Sequence, residues 1–213
     1  MNTTTLSPPA PRTLVDLLPR SSTRSQQLAI DVALIAGFAV FTALLAQARI
    51  NTGFSPVPIT GQTLGALLAG TGLGWKRGAL SQLLYWAIGI MMPVAWYAND
   101  ASGASIGAGW KIASGATAGY LFGFVVAAGV VGMFAERRQD RSLATSIPAM
   151  LTGTAVIYVF GVGWLAHSLG IPVATGETSA ISLGLTPFLV GDAIKLMIAG
   201  AITPLAWRFA RRS

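Results

Sequence analysis

Six stretches of mostly apolar residues run along this chain, separated by shorter polar segments. They span residues 28–48, 62–74, 79–96, 115–135, 144–169 and 185–207. Most approach the roughly 20 residues that an α-helix needs to cross a bilayer. The second stretch is about 20 Å long at 1.5 Å per residue, which is short for a hydrocarbon core of about 30 Å. The pattern predicts an all-α integral membrane protein with six transmembrane helices, the second of which either borrows residues from the preceding loop or is a half-span.

The composition agrees with this pattern. Hydrophobic residues make up 53% of the 213 residues and charged residues only 10%, against roughly 25% charged in a soluble domain. The mean hydropathy is +0.64. We therefore expect residues 28–207 to form a single six-helix membrane domain. Because the first stretch contains Asp31 and exceeds the apolar core of a signal peptide, we expect it to remain as the first span.

The positions of the basic residues predict the topology. The net charge is +7, and most of the 14 Lys and Arg residues lie in residues 1–27, 75–78, 136–142 and 208–213. By the positive-inside rule, these segments and both termini are cytoplasmic. We expect residues 1–27 to form a mobile tail, because they offer little apolar material for a core, and residues 208–213 to form a basic end. The charge thus indicates topology and contact with membrane lipid, and it argues against nucleic acid as a partner.

Several chemistries are excluded by residues that the sequence lacks. Cysteine is absent and His167 is the only histidine, which excludes disulfides, thiolate ligands and paired-histidine metal sites. The chain also has no Gly-x-x-x-x-Gly-Lys-[Ser/Thr] sequence to hold nucleotide phosphates. Any ATP-driven step must therefore come from other chains. We expect neither a metal nor a cofactor.

Two ionisable residues, Asp192 and Lys195, lie in the middle of the last apolar stretch. Such residues cost about 2.5 to 3.5 kcal/mol each at the centre of a spanning helix, so pairing or a ligand must offset the cost. Three residues apart, they share one helix face. They either form only a mutual ion pair or bind a small, mostly neutral ligand with an amide-like or ureido edge. A competing hypothesis is an intramembrane enzyme that uses them as acid and base, although no second catalytic carboxylate has an obvious position.

A loop before the second stretch combines two prolines with three neutral polar residues. Pro56 and Pro58 exclude ordinary helix, while Thr60, Gln62 and Thr63 supply hydrogen-bond donors and acceptors. Irregular backbone enters a membrane where it lines a cavity or is buried in protein. By itself the loop fits a ligand site and a proline-stiffened turn with a threonine helix cap equally well.

The start of the fourth stretch is rich in small residues. Gly119 and Gly123 flank Tyr120, and small residues let membrane helices approach closely. Helix packing is therefore the simpler explanation of the glycines. Tyr120 would alternatively line the mouth of a pocket with its ring and hydroxyl.

In the first stretch, Ala29, Ala33 and Gly37 recur every four residues. They form a small-residue stripe that needs a partner helix, either within this chain or in another subunit. The residues alone slightly favour a partner within the chain.

Three motifs taken together resemble the BioY family, the biotin-binding S components of energy-coupling factor (ECF) transporters. They are Pro56-Val57-Pro58-Ile59-Thr60-x-Gln62-Thr63, Gly119-Tyr120-Leu121-x-Gly123-Phe124 and Pro187-Phe188-x-x-Gly191-Asp192-x-x-Lys195. The resemblance covers residues 29–207. The chain departs from the family at Ala116 and Ala118, where the family usually has proline and the first of two glycines.

The resemblance implies a six-helix bundle that takes up biotin from the outer side of the cytoplasmic membrane. It implies that Asp192 and Lys195 hydrogen-bond the ureido ring and that the Ala29 stripe meets a transmembrane coupling subunit, which is driven by ATPase subunits. The other expected ligand-site residues are Thr60, Gln62, Thr63, Asn99 and Tyr120. This makes the protein a transport subunit rather than an enzyme; an S component for another small vitamin is the nearest alternative.

Overall fold

The computed structural model describes residues 11–18, 23–97, 107–176 and 178–210. These residues form eight α-helices. They are α1 (Arg24–Ala46), α2 (Gln62–Leu73), α3 (Trp75–Met91), α4 (Trp110–Ala113), α5 (Ala118–Glu136), α6 (Leu143–Leu169), α7 (Ala180–Gly184) and α8 (Leu189–Ala210). A small antiparallel hairpin between α1 and α2 consists of β1 (Arg49–Ile50) and β2 (Ile59–Thr60). Short 3-10 turns lie at Leu14–Leu17, Val94–Trp96 and Thr186–Phe188.

Four helical segments among the described residues are long and apolar enough to cross a membrane. They are Arg24–Ala46, Ala118–Glu136, Leu143–Leu169 and Ala180–Ala210. The predicted all-helical, multi-pass membrane protein is therefore confirmed at this level. Helix α2 has only 12 residues and begins at Gln62, so it does not borrow residues from the preceding loop.

Helix α3 differs from its predicted bounds at both ends. It begins at Trp75 instead of residue 79, and a single residue, Gly74, joins it to α2 with a φ of +84°. The polar sequence after Gly74 was expected to be a connection but forms the first helical turn, whose Trp75 N–H donates to Glu136 Oε1 at 3.1 Å. The helix ends at Met91, before Pro93, because proline disfavours helix at the residue before it.

The N-terminal region contains more structure than its composition suggests. Helix α1 begins at Arg24, within the predicted tail. Before it, Thr13 is buried and the turn Leu14–Leu17 packs against α2 and α8. The carboxylate of Asp16 accepts hydrogen bonds from the backbone N–H of Arg12 and Thr13 and so closes this turn. Parts of α2 and α8 are therefore covered by a short ordered segment.

The close approach of α5 and α6 explains the glycines at the start of the fourth stretch. A Cβ atom on Gly119 would collide with the Trp164 side chain and the Phe160 carbonyl oxygen on α6. A Cβ on Gly123 would lie 3.0 Å from Ile157 Cα. Packing thus accounts for both glycines. It also brings Tyr120 and Phe124 of α5 into the core beside α6.

The small-residue stripe of α1 faces away from the other described residues. Ala29, Ala33 and Gly37 are exposed, and a Cβ on Gly37 would meet no atom within 4 Å. A different face of α1, which includes Ala39 and Ala43, is buried. The slight preference for a partner helix within this chain was therefore wrong, because the internal contacts of α1 use another face.

Candidate ligand-binding site

A cavity of about 110 Å³ lies among the β1–β2 hairpin and helices α2, α5, α6 and α8. Its polar lining residues are Arg49, Thr60, Gln62, Thr63, Tyr97, Thr117, Tyr120, Tyr158, Asp192 and Lys195. The apolar walls include Val57, Ile112, Leu121, Phe124, Ile157 and Phe188. Ligand sites of this kind combine mostly apolar walls with a few convergent polar groups.

The carboxylate of Asp192 accepts hydrogen bonds from three side chains at the cavity wall. Its side chain is only 7% exposed. Lys195 Nζ donates to Asp192 Oδ1 at 2.7 Å, and Thr63 Oγ1 donates to the same oxygen at 3.4 Å. The Tyr158 hydroxyl donates to Oδ2. These donors come from α2, α6 and α8, so the carboxylate links three helices at one wall of the cavity.

The backbone places Asp192 near a helix end rather than in the middle of a span. Helix α8 begins at Leu189, after the 3-10 turn Thr186–Phe188, so Asp192 lies in the first turn of α8. The predicted continuous helix from residue 185 is wrong because Pro187 lies in that turn and Leu185 has a non-helical φ of −126°. The N-terminal end of a helix carries partial positive charge, which favours a carboxylate there.

The Asp192–Lys195 pair keeps some capacity for a ligand. A carboxylate has about four acceptor positions, and the three donors above leave one of them. An ammonium group has three N–H donors, and the bond to Asp192 uses one. The pair can therefore accept one N–H and donate to one carbonyl oxygen at the same time. An amide or ureido edge offers that combination.

The amide of Gln62 ties three parts of the chain together. Its nitrogen donates to Tyr85 Oη at 2.6 Å and to the Tyr97 carbonyl oxygen at 2.7 Å. Its oxygen accepts from Thr60 Oγ1 at 2.6 Å. Both amide N–H groups are thus engaged, so Gln62 holds the hairpin and the start of the α3–α4 connection against α3. Direct contact between Gln62 and a ligand stays a prediction.

Tyr120 lines the cavity mainly through its ring. Its hydroxyl donates to the Gly184 carbonyl oxygen at 2.7 Å. Its ring packs edge-to-face with that of Tyr158, at a centroid distance of 6.3 Å. The structure therefore places Tyr120 beside the cavity as predicted, with its hydroxyl already bonded to α7.

The structure brings together six of the residues that the sequence predicts for the site. They are Thr60, Gln62, Thr63, Tyr120, Asp192 and Lys195. Asn99 lies outside the described residues. Sequence reasoning missed Tyr158, a tyrosine in an apolar stretch, and it treated Arg49 only as a topology marker. The position of Arg49 directly after the first span and before the proline loop was a usable signal.

Comparison with known proteins relates most of the chain to one family. The sequence model of the BioY family matches residues 18–212. The biotin transporter BioY of Rhizobium etli is 35% identical over 180 residues, which cover 81% of this chain and 90% of the relative. The protein of the same name from Rhodobacter capsulatus is 38% identical over 183 residues, with 81% and 90% covered.

A solved structure supports the same relationship. The crystal structure at 2.1 Å of the S-component for biotin from an ECF-type ABC transporter matches with a TM-score of 0.69 and 26% sequence identity. The match covers 88% of this chain and 95% of the crystallised chain. The resemblance that the three motifs carry is confirmed: this chain belongs to the BioY family.

Proposed function

We propose that this protein binds biotin at the outer side of the cytoplasmic membrane and mediates its uptake as the substrate-binding subunit of an ECF transporter. The observation that carries the proposal is the Asp192–Lys195 pair on the cavity wall, which offers one acceptor position and further N–H donors. The ureido ring of biotin presents N–H groups beside a carbonyl oxygen. The relatives named biotin transporter BioY support the choice of ligand.

The proposed pose places the ureido ring at α8 and the rest of biotin along the cavity. Asp192 accepts a ureido N–H, and Lys195 donates to the ureido oxygen. Thr60, Thr63 and the ring of Tyr120 form the adjoining walls, while apolar walls enclose the thiophane ring and valerate chain. The residues of those apolar walls are Leu121, Phe124, Ile157 and Phe188. Asn99 belongs to this proposal as a further contact.

The proposed topology has six spans with both termini in the cytoplasm. Lys76 and Arg77 lie at the α2–α3 junction, and Arg137, Arg138 and Arg141 lie between α5 and α6. Both junctions belong on the cytoplasmic side by the positive-inside rule. The β1–β2 hairpin, at the other end of α2 from Gly74, then faces outward with the cavity. An outward cavity suits a subunit that captures a scarce vitamin from outside.

The proposed partner is a transmembrane coupling subunit that docks on the exposed stripe of Ala29, Ala33 and Gly37. Small residues let two membrane helices approach closely, and the stripe has no contact with the described part of this chain that would block such an approach. ATPase subunits bound to the coupling subunit would supply the energy for uptake.

Calorimetric titration of the purified chain in detergent tests the ligand. We expect saturable heat with biotin and none with thiamine or riboflavin at the same concentrations. Heat with one of those vitamins and none with biotin would assign the protein to another vitamin. Loss of heat with every vitamin would refute the binding role.

The enzyme hypothesis is not supported. Asp192 is the only carboxylate among the described residues that line the cavity, and three donors already surround it. The BioY relatives are named as transporters, and this chain is accordingly a transport subunit.

A further inference from the structure

A second depression, larger than the ligand cavity, lies on the outside of the bundle. It is a groove of about 650 Å³ between α3, α5 and α6, with α4 beside it. Its walls are mostly apolar and include Trp86, Trp110, Phe122, Phe160 and Trp164. None of the described residues that line it carries a carboxylate. We call this surface the aromatic groove.

The rings of the aromatic groove pack against one another but are not covered. Phe122 of α5 contacts Phe160 of α6 edge-to-face at a centroid distance of 4.9 Å. It also contacts Trp86 of α3, at 6.3 Å. Phe122 and Phe160 nevertheless stay 42% and 37% exposed. Exposed apolar patches of this kind mark sites of contact with a membrane or with another protein.

The ends of two long helices meet α4 at one end of the aromatic groove. Gly109 N–H donates to the Met92 carbonyl oxygen at 3.0 Å, which joins the start of α4 to the end of α3. Trp164 Nε1 donates to the Gly115 carbonyl oxygen at 2.9 Å, which joins the chain just after α4 to α6. His167, in the last turn of α6, lines the groove here. Because α3 and α6 both end here, this end lies near a membrane surface, the outer one in the proposed topology.

The same end carries two groups that suit a lipid headgroup. Lys111 is exposed beside Trp110 on α4, and none of the described carboxylates forms an ion pair with it. His167 is also exposed; its ring contacts that of Trp164 at 5.7 Å, and its side chain makes no hydrogen bond with the described residues. An ammonium group and an imidazole N–H both donate to phosphate oxygens. Tryptophans, moreover, are enriched at the level of lipid headgroups.

We propose that the aromatic groove binds an anionic phospholipid, with its phosphate at Lys111 and His167 and one acyl chain along the rings. From His167 to Val159, which also lines the groove, α6 runs about 12 Å at 1.5 Å per residue, so the groove suits an extended chain below a headgroup. A second copy of this chain fits less well. A two-fold contact uses the same patch on both copies, so it would bring two Lys111 side chains together without a described carboxylate to compensate them.

Tryptophan fluorescence in lipid nanodiscs tests the proposal on the purified full chain. Trp75, Trp110 and Trp164 are the exposed tryptophans, and Trp75→Phe removes the one that lies outside the groove. The discs contain phosphatidylcholine and a small fraction of either phosphatidylglycerol or phosphatidylcholine with brominated acyl chains, which quench nearby indoles. We expect half-maximal quenching at a roughly fivefold lower fraction of the brominated phosphatidylglycerol, the effect of about one basic residue near anionic lipid.

Two lysine variants in the same Trp75→Phe background provide matched controls. Lys111→Gln should abolish the preference for phosphatidylglycerol because it removes the cation at the headgroup. Lys76→Gln, which neutralises an exposed lysine in the first turn of α3, should keep the full preference. If Lys111→Gln keeps it as well, the lysine does not bind the headgroup and the proposal fails.

The remaining outcomes also decide the matter. Equal quenching by the two brominated lipids would overturn the proposal, because the groove would then hold only bulk lipid. Absence of quenching by both would overturn it too, and a dimer in the discs would then identify a second copy as the occupant. The comparison of the two lipids stands even if no Lys111 variant folds. Neither result bears on the internal cavity, where biotin binding is tested separately by calorimetry.

Discussion

Asp192 accepts hydrogen bonds from Thr63, Tyr158 and Lys195. A buried carboxylate is costly unless it is paired and hydrogen-bonded. These three donors offset that cost and fix the direction of the remaining acceptor position. The ion pair and the ligand site are therefore compatible: the contacts that stabilise the carboxylate also aim it into the cavity.

Asp192→Asn should weaken biotin binding by at least about 1 kcal/mol, or roughly fivefold, because it replaces a charged acceptor and leaves Lys195 without its partner. Calorimetric titration measures the change. Asp31→Asn is the control, since Asp31 pairs with Arg77 at 2.9 Å and does not line the cavity. Unchanged affinity in the Asp192 variant would mean that the Asp192–Lys195 ion pair only neutralises its own two charges and does not bind biotin.

Tyr158→Phe should weaken biotin binding severalfold, on the order of 1 kcal/mol, because it removes one donor that holds Asp192 in place. Tyr120→Phe is a matched comparison: it also deletes one hydroxyl from the cavity wall, but that hydroxyl bonds to Gly184. We expect close to wild-type affinity in the Tyr120 variant. Equal losses in the two variants, measured by the same titration, would contradict an orienting role for Tyr158.

The sequence predicted part of this site for a simple reason. Asp192 and Lys195 stand out as ionisable residues in an apolar stretch, and Thr60 and Thr63 stand out as polar residues beside prolines. Tyr158 could not be selected in this way, since a tyrosine is ordinary in an apolar helix. Its role depends on the packing of α6 against α8, which hydropathy does not encode.

At the level of elements, apolar stretches identified the helices but not their ends. Lys76 and Arg77 lowered the hydropathy of what is the first turn of α3, so that turn was expected to be a connection. Asp16 likewise closes a turn in a segment whose composition indicates no core. The contact between Trp75 and Glu136 joins residues that are distant in sequence, and a local pattern does not reveal it.

Gly37→Leu should prevent association with the coupling subunit while biotin affinity stays unchanged. The leucine would fill the groove that a partner helix needs, and nothing in the described chain lies within 4 Å of the new Cβ. Gly163→Leu is the matched control, because Gly163 is an exposed glycine on α6 with equally open surroundings. Co-purification with the coupling subunit measures the effect. If the Gly37 variant co-purifies as well as the control, the stripe is not the docking face.

The free energy of unfolding should depend on pH through Asp140, which lies in the connection between α5 and α6. Burial raises the pKa of Asp140 above its ordinary value of 3.8, although Trp207 Nε1 donates to its carboxylate at 2.6 Å. Because burial favours the protonated acid, Asp140 contributes to the free energy of unfolding below pH 3.8. This contribution is lost as the pH rises through the raised pKa of Asp140.

Asp140→Asn should therefore melt at a higher temperature than wild type at pH 7, by on the order of 2 °C, and the difference should shrink near pH 4. The asparagine oxygen can still accept from Trp207. Thermal unfolding in detergent at the two pH values measures this. A variant that melts below wild type at pH 7 would show that the ionised carboxylate is stabilising.

At the scale of the whole molecule, the sequence motifs predicted the family, and the family model and the solved structure confirm it. Four long apolar helices are observed, whereas the six-span count and the cytoplasmic termini rest on the apolar stretches and the basic residues. Helices α2 and α3 have 12 and 17 residues and are short for membrane spans. The cavity opens beside the start of α2. Length and hydropathy alone cannot distinguish a short span from a half-span.

The molecule as a whole is organised around two separate surfaces. The cavity lies between the hairpin and α8, while the exposed stripe of α1 lies on the outside of the bundle. The proposed ligand recognition and the proposed partner docking thus use different residues. The variants of Asp192 and Gly37 should accordingly separate binding from transport.

The most direct test of the central claim is a structure of this chain determined with biotin bound. The account predicts the ureido ring within hydrogen-bond distance of Asp192 and Lys195, that is, within about 3.2 Å. Biotin bound outside this cavity, or bound inside it with the ureido ring remote from an intact Asp192–Lys195 pair, would contradict the account.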